Sequence, residues 1–212
     1  MVTINEIFYS VQGESTYAGR PCVFVRLTAC DLRCSWCDTP YAFHEGSKRP
    51  LDAVLAEVDR YDCPLVEVTG GEPLLQEDVY PLMDALLMRG KTVLLETGGH
   101  RSTERVPAPV VTILDIKCPG SGEAGKMDWA NVERLRPHDE VKFVVCSEED
   151  FRWSAEIIRR HRLEGRVAVL LSPSHGQVDP RDLARWLLES GLEARLSLQI
   201  HKVIWGAQAR GV

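Results

Sequence analysis

Three cysteines lie within eight residues near the start of the chain, at Cys30, Cys34 and Cys37. Spacers of three and two residues allow one short loop to turn all three thiolates toward a single metal centre. Structural zinc sites normally have four protein ligands, and cubane iron–sulfur clusters are normally held by four cysteines. Because no fourth Cys or His lies in the immediate neighbourhood, the spacing favours a metal centre with one open coordination position, which is a catalytic arrangement.

A structural use of the same cysteines is the alternative. In that case Cys30 packs in the core, and Cys34 and Cys37 form half of a zinc hook that Cys118 or Cys146 completes from a distance. Outside the cluster, a small buried thiol normally behaves as a hydrophobic side chain. We therefore predict a packing role for the remaining cysteines, which are Cys22, Cys63, Cys118 and Cys146.

A second motif, Gly70-Gly71-Glu72-Pro73, follows a short apolar segment at residues 65–69 that is typical of a buried strand. Taken alone, this motif is compatible with a strand-to-helix turn in which proline occupies the first helical position. Glycines at such a turn also let the backbone approach a ligand closely. With a cysteine triad upstream, the second interpretation is the stronger one.

The composition limits the class of protein. Among the 212 residues, 25 are Lys or Arg and 31 are Asp or Glu, which gives a formal net charge of −6, and 44% are hydrophobic. This length supports one domain over residues 1–212, and the composition excludes disordered and fibrous classes. The acidic balance argues against direct binding of nucleic acid. No secretory signal and no apolar stretch of about 18 residues is visible, so we expect a cytoplasmic protein with reduced thiols and no membrane contact.

Strand-like and helix-like segments alternate along the chain. Strands are predicted at residues 3–10, 21–28, 65–69, 91–97, 110–116, 140–146, 166–171 and 194–200. Helices are predicted from residue 50 and at residues 77–89, 128–135, 149–163 and 179–189, with the cysteines in a loop at 28–49 and an exposed tail at 203–212. This alternation predicts βαβ units and a largely parallel sheet. Six units fit, whereas a complete eightfold barrel takes about 250 residues, so an incomplete barrel and an open doubly wound sheet both match the pattern.

In either architecture, functional residues lie at the carboxyl ends of the strands. Glycines and polar side chains are concentrated at those ends in this chain. The segments concerned are Cys30 to Cys37, Thr69 to Pro73, Glu96-Thr97-Gly98-Gly99, Lys117 and Ser172-Pro173. We therefore expect one site at that end of the sheet.

The cysteine spacing, with Trp36 directly before the third cysteine, resembles the cluster loop of the radical S-adenosylmethionine (SAM) enzymes. Gly70-Gly71-Glu72 resembles the GGE motif of the same superfamily. The resemblance implies a [4Fe-4S] cluster whose open iron binds SAM, held by Cys30, Cys34 and Cys37. Electron transfer then cleaves SAM to a 5′-deoxyadenosyl radical that abstracts hydrogen from the substrate, while the protein positions the cofactor.

Further segments resemble one family of this superfamily, the 7-carboxy-7-deazaguanine synthases. They run from about residue 4 to the carboxyl terminus and comprise Glu6 to Ser15, Ala18 to Pro21, Phe24 to Leu27, Cys37-Asp38-Thr39, Val68 to Leu74 and Leu198 to Lys202. The resemblance implies an α/β fold, an incomplete (β/α)6 TIM-like partial barrel with a cluster-binding loop at residues 28–49. It also implies a lyase that converts 6-carboxy-5,6,7,8-tetrahydropterin to 7-carboxy-7-deazaguanine with loss of ammonia, on the route to queuosine and other deazapurines.

The family resemblance also implies Mg²⁺, a homodimer and an electron donor such as flavodoxin or ferredoxin. By position, Thr39 supplies a magnesium ligand beside the substrate carboxylate. The implied SAM contacts are Trp36, Gly71, Glu72, Lys117 and Ser172. The implied substrate contacts are Val11, Gln12, Gly13, Glu14, Arg26, Thr69 and His201.

The chemistry of these residue types agrees with a pterin substrate, although simpler roles exist. A carboxylate such as Glu14 accepts hydrogen bonds from the donors of a pterin edge, and Arg26 forks onto a carboxylate. The simpler roles are a surface ion pair between Arg26 and Glu14, a core histidine on the last strand for His201, and a turn cap for Thr39.

The chain departs from the family pattern at three places. Glu96-Thr97-Gly98-Gly99 stands where the family often has Glu-Thr-Asn-Gly, and Asp115-Ile116-Lys117 where many members have Ser-Pro-Lys. Ser172-Pro173-Ser174-His175 stands where some members have Gln-Pro-Met-Asp. A contact between the carboxylate of Val212 and the substrate stays open. Two other functions also stay open: a glycyl-radical-activating enzyme, which needs a surface for a protein substrate, and a non-catalytic zinc-binding protein.

Overall fold

An antiparallel hairpin of β1 (Val2–Val11) and β2 (Pro21–Leu27) begins the chain, and β3 (Ser47–Arg49) adds to the free side of β1. The computed structural model describes residues 1–212. From β2 onward, neighbouring strands are parallel and follow chain order, as β4 (Leu65–Gly70), β5 (Thr92–Thr97), β6 (Val111–Asp115), β7 (Glu140–Val145), β8 (Ala168–Pro173) and β9 (Arg195–Leu196). The nine-stranded sheet ends at β3 and β9 without closing, so the predicted incomplete barrel is confirmed.

The helices that connect parallel strands are α1 (Leu51–Val58), α2 (Val79–Met88), α3 (Ala130–Arg134), α4 (Glu148–Arg160) and α5 (Pro180–Ser190). The connection from β5 to β6 contains no helix. Local sequence sets the helix ends: the Ser147 side chain accepts a hydrogen bond from the Asp150 backbone N–H at the start of α4, and Gly191 ends α5 with a φ of 67°. None of the helices combines the length and apolar character needed to span a membrane.

Alternation along β7 shows how the sheet aims polar groups inward. Val141, Phe143 and Val145 belong to the hydrophobic core on the helix side of the sheet. Lys142 and Val144, on the opposite face, line a cavity inside the barrel. A charged residue within an otherwise apolar buried strand therefore points to the interior of the barrel rather than to solvent.

The end of the chain differs from the strand predicted at residues 194–200. Only Arg195–Leu196 is a strand, and α6 (Ile200–Trp205) follows. The backbone N–H of Ile200 donates to the carbonyl of Gly13 at 3.0 Å, which draws this segment away from the sheet. The alternation of apolar and polar residues suggested a strand, but the long-range contact with the β1–β2 connection decides the outcome.

The tail predicted at residues 203–212 is exposed, with only Ala207 half-buried. Val203 and Trp205 are 79% and 49% exposed. Beyond them the chain turns back toward the barrel, where Arg210 lies over the ring of Tyr41 with 3.7 Å between the guanidinium carbon and the ring centroid. Arg210 also donates to Glu45 at 3.2 Å. The last residues therefore lie at the rim of the cavity while they stay exposed to solvent.

Candidate active site

One cavity at the carboxyl ends of the parallel strands brings together the residues that sequence resemblance indicated. All the predicted cluster, metal, SAM and substrate residues line this cavity except Ser172. Residues of the tail line it as well, namely Gly206, Ala207, Ala209, Gly211 and Val212. The structure therefore brings these residues to one cavity, while their contacts to ligands stay predictions.

Ser172 is not brought to the cavity. It is buried on β8, and its hydroxyl donates to the carbonyl of Ser197 at 2.7 Å. This bond anchors the segment between β9 and α6, which gives Ser172 a structural role. The predicted SAM contact at this position stays without geometric support.

The cysteine loop is held in place by the segment that follows β6. The backbone N–H of Ser35 donates to the carbonyl of Ser121 at 3.0 Å, and the hydroxyl of Ser35 donates to the carbonyl of Gly120 at 2.8 Å. The backbone N–H of Arg33 donates to Glu123 at 2.6 Å. The loop is therefore ordered by hydrogen bonds to a distant segment, in addition to any ligand that it binds.

The thiols of the loop surround the cavity at separate points. No group of three or more His, Cys, Asp or Glu side chains is arranged to hold one metal ion. Cys30, Cys34 and Cys37 nevertheless line the same cavity, and each cysteine of a cubane cluster ligates a different iron, so such thiols stand around a cluster instead of meeting at a point. Burial raises the pKa of the Cys34 thiol to about 11, so cluster binding must release its proton. The arrangement fits an iron–sulfur cluster.

Gly71 brings the GGE motif against the first cysteine. The backbone N–H of Gly71 donates to the carbonyl of Leu27 at 3.2 Å, and that of Glu72 donates to the carbonyl of Ala29 at 2.7 Å. A Cβ atom on Gly71 would lie 2.5 Å from the carbonyl carbon of Ala29 and 3.0 Å from Cβ of Cys30. The glycine is required because two backbone segments meet here.

Glu72 is buried, and its carboxylate orders the ends of β4 and β5. It accepts hydrogen bonds from the backbone N–H of Leu74 at 3.0 Å, from that of Gly98 at 2.9 Å, and from the Thr97 hydroxyl at 2.8 Å. Burial raises the pKa of Glu72 even though these hydrogen bonds act in the opposite direction. The side chain therefore has a structural function beside the predicted SAM contact.

Lys117 and Trp36 form the cavity wall next to the cysteines. The ammonium of Lys117 lies 4.6 Å from the centroid of the Trp36 ring and 2.8 Å from Oδ2 of Asp115. Nε1 of Trp36 and Oδ1 of Asp115 are buried without a hydrogen-bond partner. Because buried polar groups are normally paired, this donor and this acceptor indicate that the cavity is completed by a polar ligand.

The connection between β1 and β2 forms the opposite wall, where Gln12 and Glu14 are held from several sides. Nε2 of Gln12 donates a hydrogen bond to Glu67 on β4. Oε1 of Gln12 accepts a hydrogen bond from the Glu14 backbone N–H at 3.1 Å. Nε2 of Gln199 donates to Oε1 of Glu14 at 2.7 Å. Burial and the nearby carboxylate of Glu96 raise the pKa of Glu67 well above its ordinary value.

Arg26 and Glu14 do not form an ion pair with each other, so that simpler role is wrong. Nε of Arg26 donates to Glu6 at 2.8 Å, and the hydroxyl of Tyr41 donates to the same oxygen at 3.0 Å. This contact fixes one edge of the guanidinium and leaves both terminal nitrogens for a ligand. Thr69 is the direct neighbour of Arg26 in the β2–β4 register.

Thr39 and His201 also differ from the simpler roles. Thr39 precedes a short 3-10 turn, but its side chain makes no capping hydrogen bond, and its hydroxyl instead lies 4.0 Å from Sγ of Cys37. His201 lies on α6, not on a strand, and is half-buried against Gly13. Burial lowers the pKa of His201, which favours a neutral imidazole. Lys202, next in sequence, pairs with Asp38 of the cysteine loop at 2.8 Å.

Replacing Gly13 with alanine is expected to undock His201 and raise the KM for substrate about 10-fold. An added Cβ would lie 2.6 Å from Cγ and 2.8 Å from Cβ of His201, so the whole imidazole and the start of α6 must shift. Steady-state kinetics measures this change. An unchanged KM would show that substrate binding does not require contact between His201 and the Gln12–Glu14 connection.

Six charged residues that line the cavity were not predicted as site residues, namely Asp38, Glu67, Glu96, Asp115, Lys142 and Lys202, and four of them (Glu67, Glu96, Asp115 and Lys142) lie on strands. Lys142 lies among Glu14, Glu96 and Asp115, and Glu67 lies beneath Gln12. A signal was present in the sequence, because charged residues interrupt apolar strands at alternate positions. We interpreted those strands as buried on both faces, and so did not predict that their charged side chains point into the cavity.

Comparison with known proteins is consistent with this geometry. The model of the Radical SAM superfamily matches residues 25–162. The chain is 49% identical to the 7-carboxy-7-deazaguanine synthase of Koribacter versatilis (strain Ellin345), over 99% of both chains, and 45% identical to that of Chlorobaculum tepidum, over 100% of this chain and 97% of the relative. The crystal structure of QueE from Escherichia coli superposes with a TM-score of 0.78 at 24% identity, over 93% of both chains. The last similarity establishes the fold.

Proposed function

This chain belongs to the radical SAM superfamily and, within it, to the 7-carboxy-7-deazaguanine synthases, and we propose that its cavity converts 6-carboxy-5,6,7,8-tetrahydropterin to 7-carboxy-7-deazaguanine with loss of ammonia. The observation that carries the proposal is the arrangement of two chain segments around one cavity. The cysteine loop and the Gln12–Glu14 connection face one cavity, so one wall suits a cluster and the other suits a small heterocycle.

The cofactor side of the cavity is assigned to the cysteine loop and its neighbours. Cys30, Cys34 and Cys37 would hold the cluster, and Trp36 and Lys117 would enclose SAM beside it. When bound, the cluster and SAM supply the electron and the hydrogen-atom abstraction that the ring contraction requires. The protein contributes orientation and exclusion of water, for which the tail at the rim of the cavity is suited.

The substrate side is assigned to the β1–β2 connection and β2. Glu14 accepts hydrogen bonds from the donors of the pterin edge, and the terminal nitrogens of Arg26 bind its carboxylate as a fork. The hydroxyl of Thr39, which lines the cavity beside Cys37, would contribute to a Mg²⁺ ion, which keeps several waters and needs few protein ligands. His201 completes the wall as a hydrogen-bonding group.

Three further parts of the proposal concern partners and location. We expect reduction by a donor such as flavodoxin or ferredoxin, a homodimer, and a cytoplasmic enzyme. The exposed apolar side chains of α6, among them Val203 and Ile204, offer one surface for association. Sedimentation or size-exclusion measurements on the reconstituted enzyme determine whether the homodimer forms.

Anaerobic reconstitution followed by turnover tests the proposed function. The protein is loaded with iron and sulfide and then incubated with dithionite, SAM, Mg²⁺ and the carboxypterin, and products are identified by mass spectrometry. We expect 7-carboxy-7-deazaguanine in excess over SAM consumed. Formation of 5′-deoxyadenosine without any deazaguanine would contradict the substrate, and failure to gain the broad visible absorbance of a cluster would favour a zinc protein instead.

A further inference from the structure

Lys142 lines the cavity from the middle of β7, and its side chain is only 4% exposed. Its ammonium lies 2.8 Å from Oε2 of Glu14 and 3.5 Å from Oδ2 of Asp115, and it also donates to Glu96. Glu14 belongs to the β1–β2 connection, Asp115 ends β6 and Glu96 lies on β5. The contacts with Glu14 and Glu96 are hydrogen bonds and the contact with Asp115 is a longer ion pair, so three carboxylates hold the ammonium in position.

The sheet itself builds this cluster. Asp115 and Lys142 are direct neighbours in the parallel register of β6 and β7. Asp115 also accepts a hydrogen bond from Lys117 at 2.8 Å, and Lys117 lies against the ring of Trp36. The same charged network therefore touches the substrate wall at Glu14 and the cofactor wall at Trp36.

The surroundings of Lys142 determine what it can do. Burial alone would lower the pKa of its ammonium, but Glu14, Glu96 and Asp115 more than offset burial and raise the pKa well above its ordinary value. A lysine that stays charged among carboxylates of the protein does not act as a general base. Its function must therefore lie in the groups that it holds.

Glu14 is the group that depends most on Lys142. Its two carboxylate oxygens each have one protein donor, Lys142 on Oε2 and Gln199 on Oε1. Each oxygen retains a second lone pair for a ligand. Burial raises the pKa of Glu14, but Lys142 and His201 bring it down to about 2, so the side chain is an anion. Without the ammonium, Glu14 would face Glu96 and Asp115 with no cation between them.

We propose that Lys142 is a positioning residue for substrate recognition, which holds the Glu14 carboxylate as an oriented anion that accepts hydrogen bonds from the heterocycle. This inference rests on the proposed function and adds a residue to it. Lys142 itself donates to the carboxylates of Glu14 and Glu96. Its loss is therefore expected to weaken substrate binding through Glu14.

A double-mutant cycle separates this role from an independent one. Lys142→Met, Glu14→Gln and the double variant are reconstituted, and kcat and KM for the carboxypterin are measured with the KM for SAM and the iron content. We expect Lys142→Met to raise the substrate KM about 10- to 100-fold, with iron content and the KM for SAM unchanged. In the Glu14→Gln background, the same substitution is expected to change the substrate KM by less than about 3-fold.

Lys91→Met is the matched control, because the ammonium of Lys91 donates to the carbonyl of Cys63 at 2.9 Å outside the cavity. It should leave both KM values unchanged. If Lys142→Met does not fold, Lys142→Met is combined with Glu96→Gln, which also removes one buried carboxylate, and compared with Glu96→Gln alone. The same increase in substrate KM is expected.

Two results would overturn the role of Lys142 in an active enzyme. One is a substrate KM that Lys142→Met leaves unchanged. The other is a double variant whose increase in substrate KM equals the product of the increases in the two single variants, since Lys142 would then act independently of Glu14. Wild-type enzyme in the same assay provides the separate check. If it yields no deazaguanine from the carboxypterin, the proposed function fails, and the proposal for Lys142 fails with it.

Discussion

Cys34→Ala is expected to abolish formation of deazaguanine, a loss of at least about 10³-fold, because the cofactor supplies the reaction chemistry. Cys34 lines the cavity with Cys30 and Cys37 on a loop that is anchored from outside by the segment after β6. The loop should therefore keep its backbone position while losing a ligand. Iron content, visible absorbance and product formation after anaerobic reconstitution measure the effect.

Cys146→Ala is the matched control for this substitution. Cys146 is half-buried outside the cavity and is predicted only to pack, so its variant should bind as much iron as wild type and retain its activity. Full activity of Cys34→Ala would contradict the cluster assignment. Loss of iron from Cys146→Ala would instead favour a metal site that includes this distant cysteine.

Local patterns in the sequence were sufficient to predict that the cysteine loop and the GGE motif lie at the same end of the sheet. The spacing of Cys30, Cys34 and Cys37 and the Gly70-Gly71-Glu72 motif each lie within one short segment, so sequence distance reflects distance in space. The alternation of strands and helices likewise predicted a parallel sheet, and the carboxyl ends of the strands predicted the side of the sheet on which these segments meet. The structure confirms that both motifs line one cavity.

The parts that were missed depend on contacts between distant residues. Lys142 becomes a cavity residue only because β7 is paired beside Asp115 and faces Glu14, which lies 128 positions earlier in the chain. His201 is on a helix because its neighbour Ile200 binds the Gly13 carbonyl. Neither contact has a local signature in the sequence. Periodicity therefore predicted a fully buried strand around Lys142 and a strand of alternating buried and exposed residues around His201.

The backbone contact at Gly71 leads to the second large effect. Gly71→Ala is expected to lower turnover at least about 100-fold, because a displacement near 1 Å at a reacting site costs that much. The new Cβ would lie 2.5 Å from the carbonyl carbon of Ala29 and 3.0 Å from Cβ of Cys30. Two backbone segments cannot be relieved by a change of rotamer, so the cysteine loop must move away from β4. Overpacking should also destabilise the fold by about 2 kcal/mol, or roughly 4–8 °C in Tm.

Gly125→Ala provides the comparison for Gly71→Ala, since an added Cβ at Gly125 meets no atom within 4 Å and its backbone does not adopt a left-handed φ. Iron content, turnover and Tm of the two variants are measured together, and Gly125→Ala should match wild type in all three. A Gly71→Ala enzyme with normal turnover would show that the GGE motif and the cysteine loop can separate without harm.

Because Gly71 acts through packing, its variant should lose thermal stability even before the cluster is loaded. Cys34→Ala should lose only the cluster, and this difference distinguishes a residue that shapes the loop from one that ligates iron.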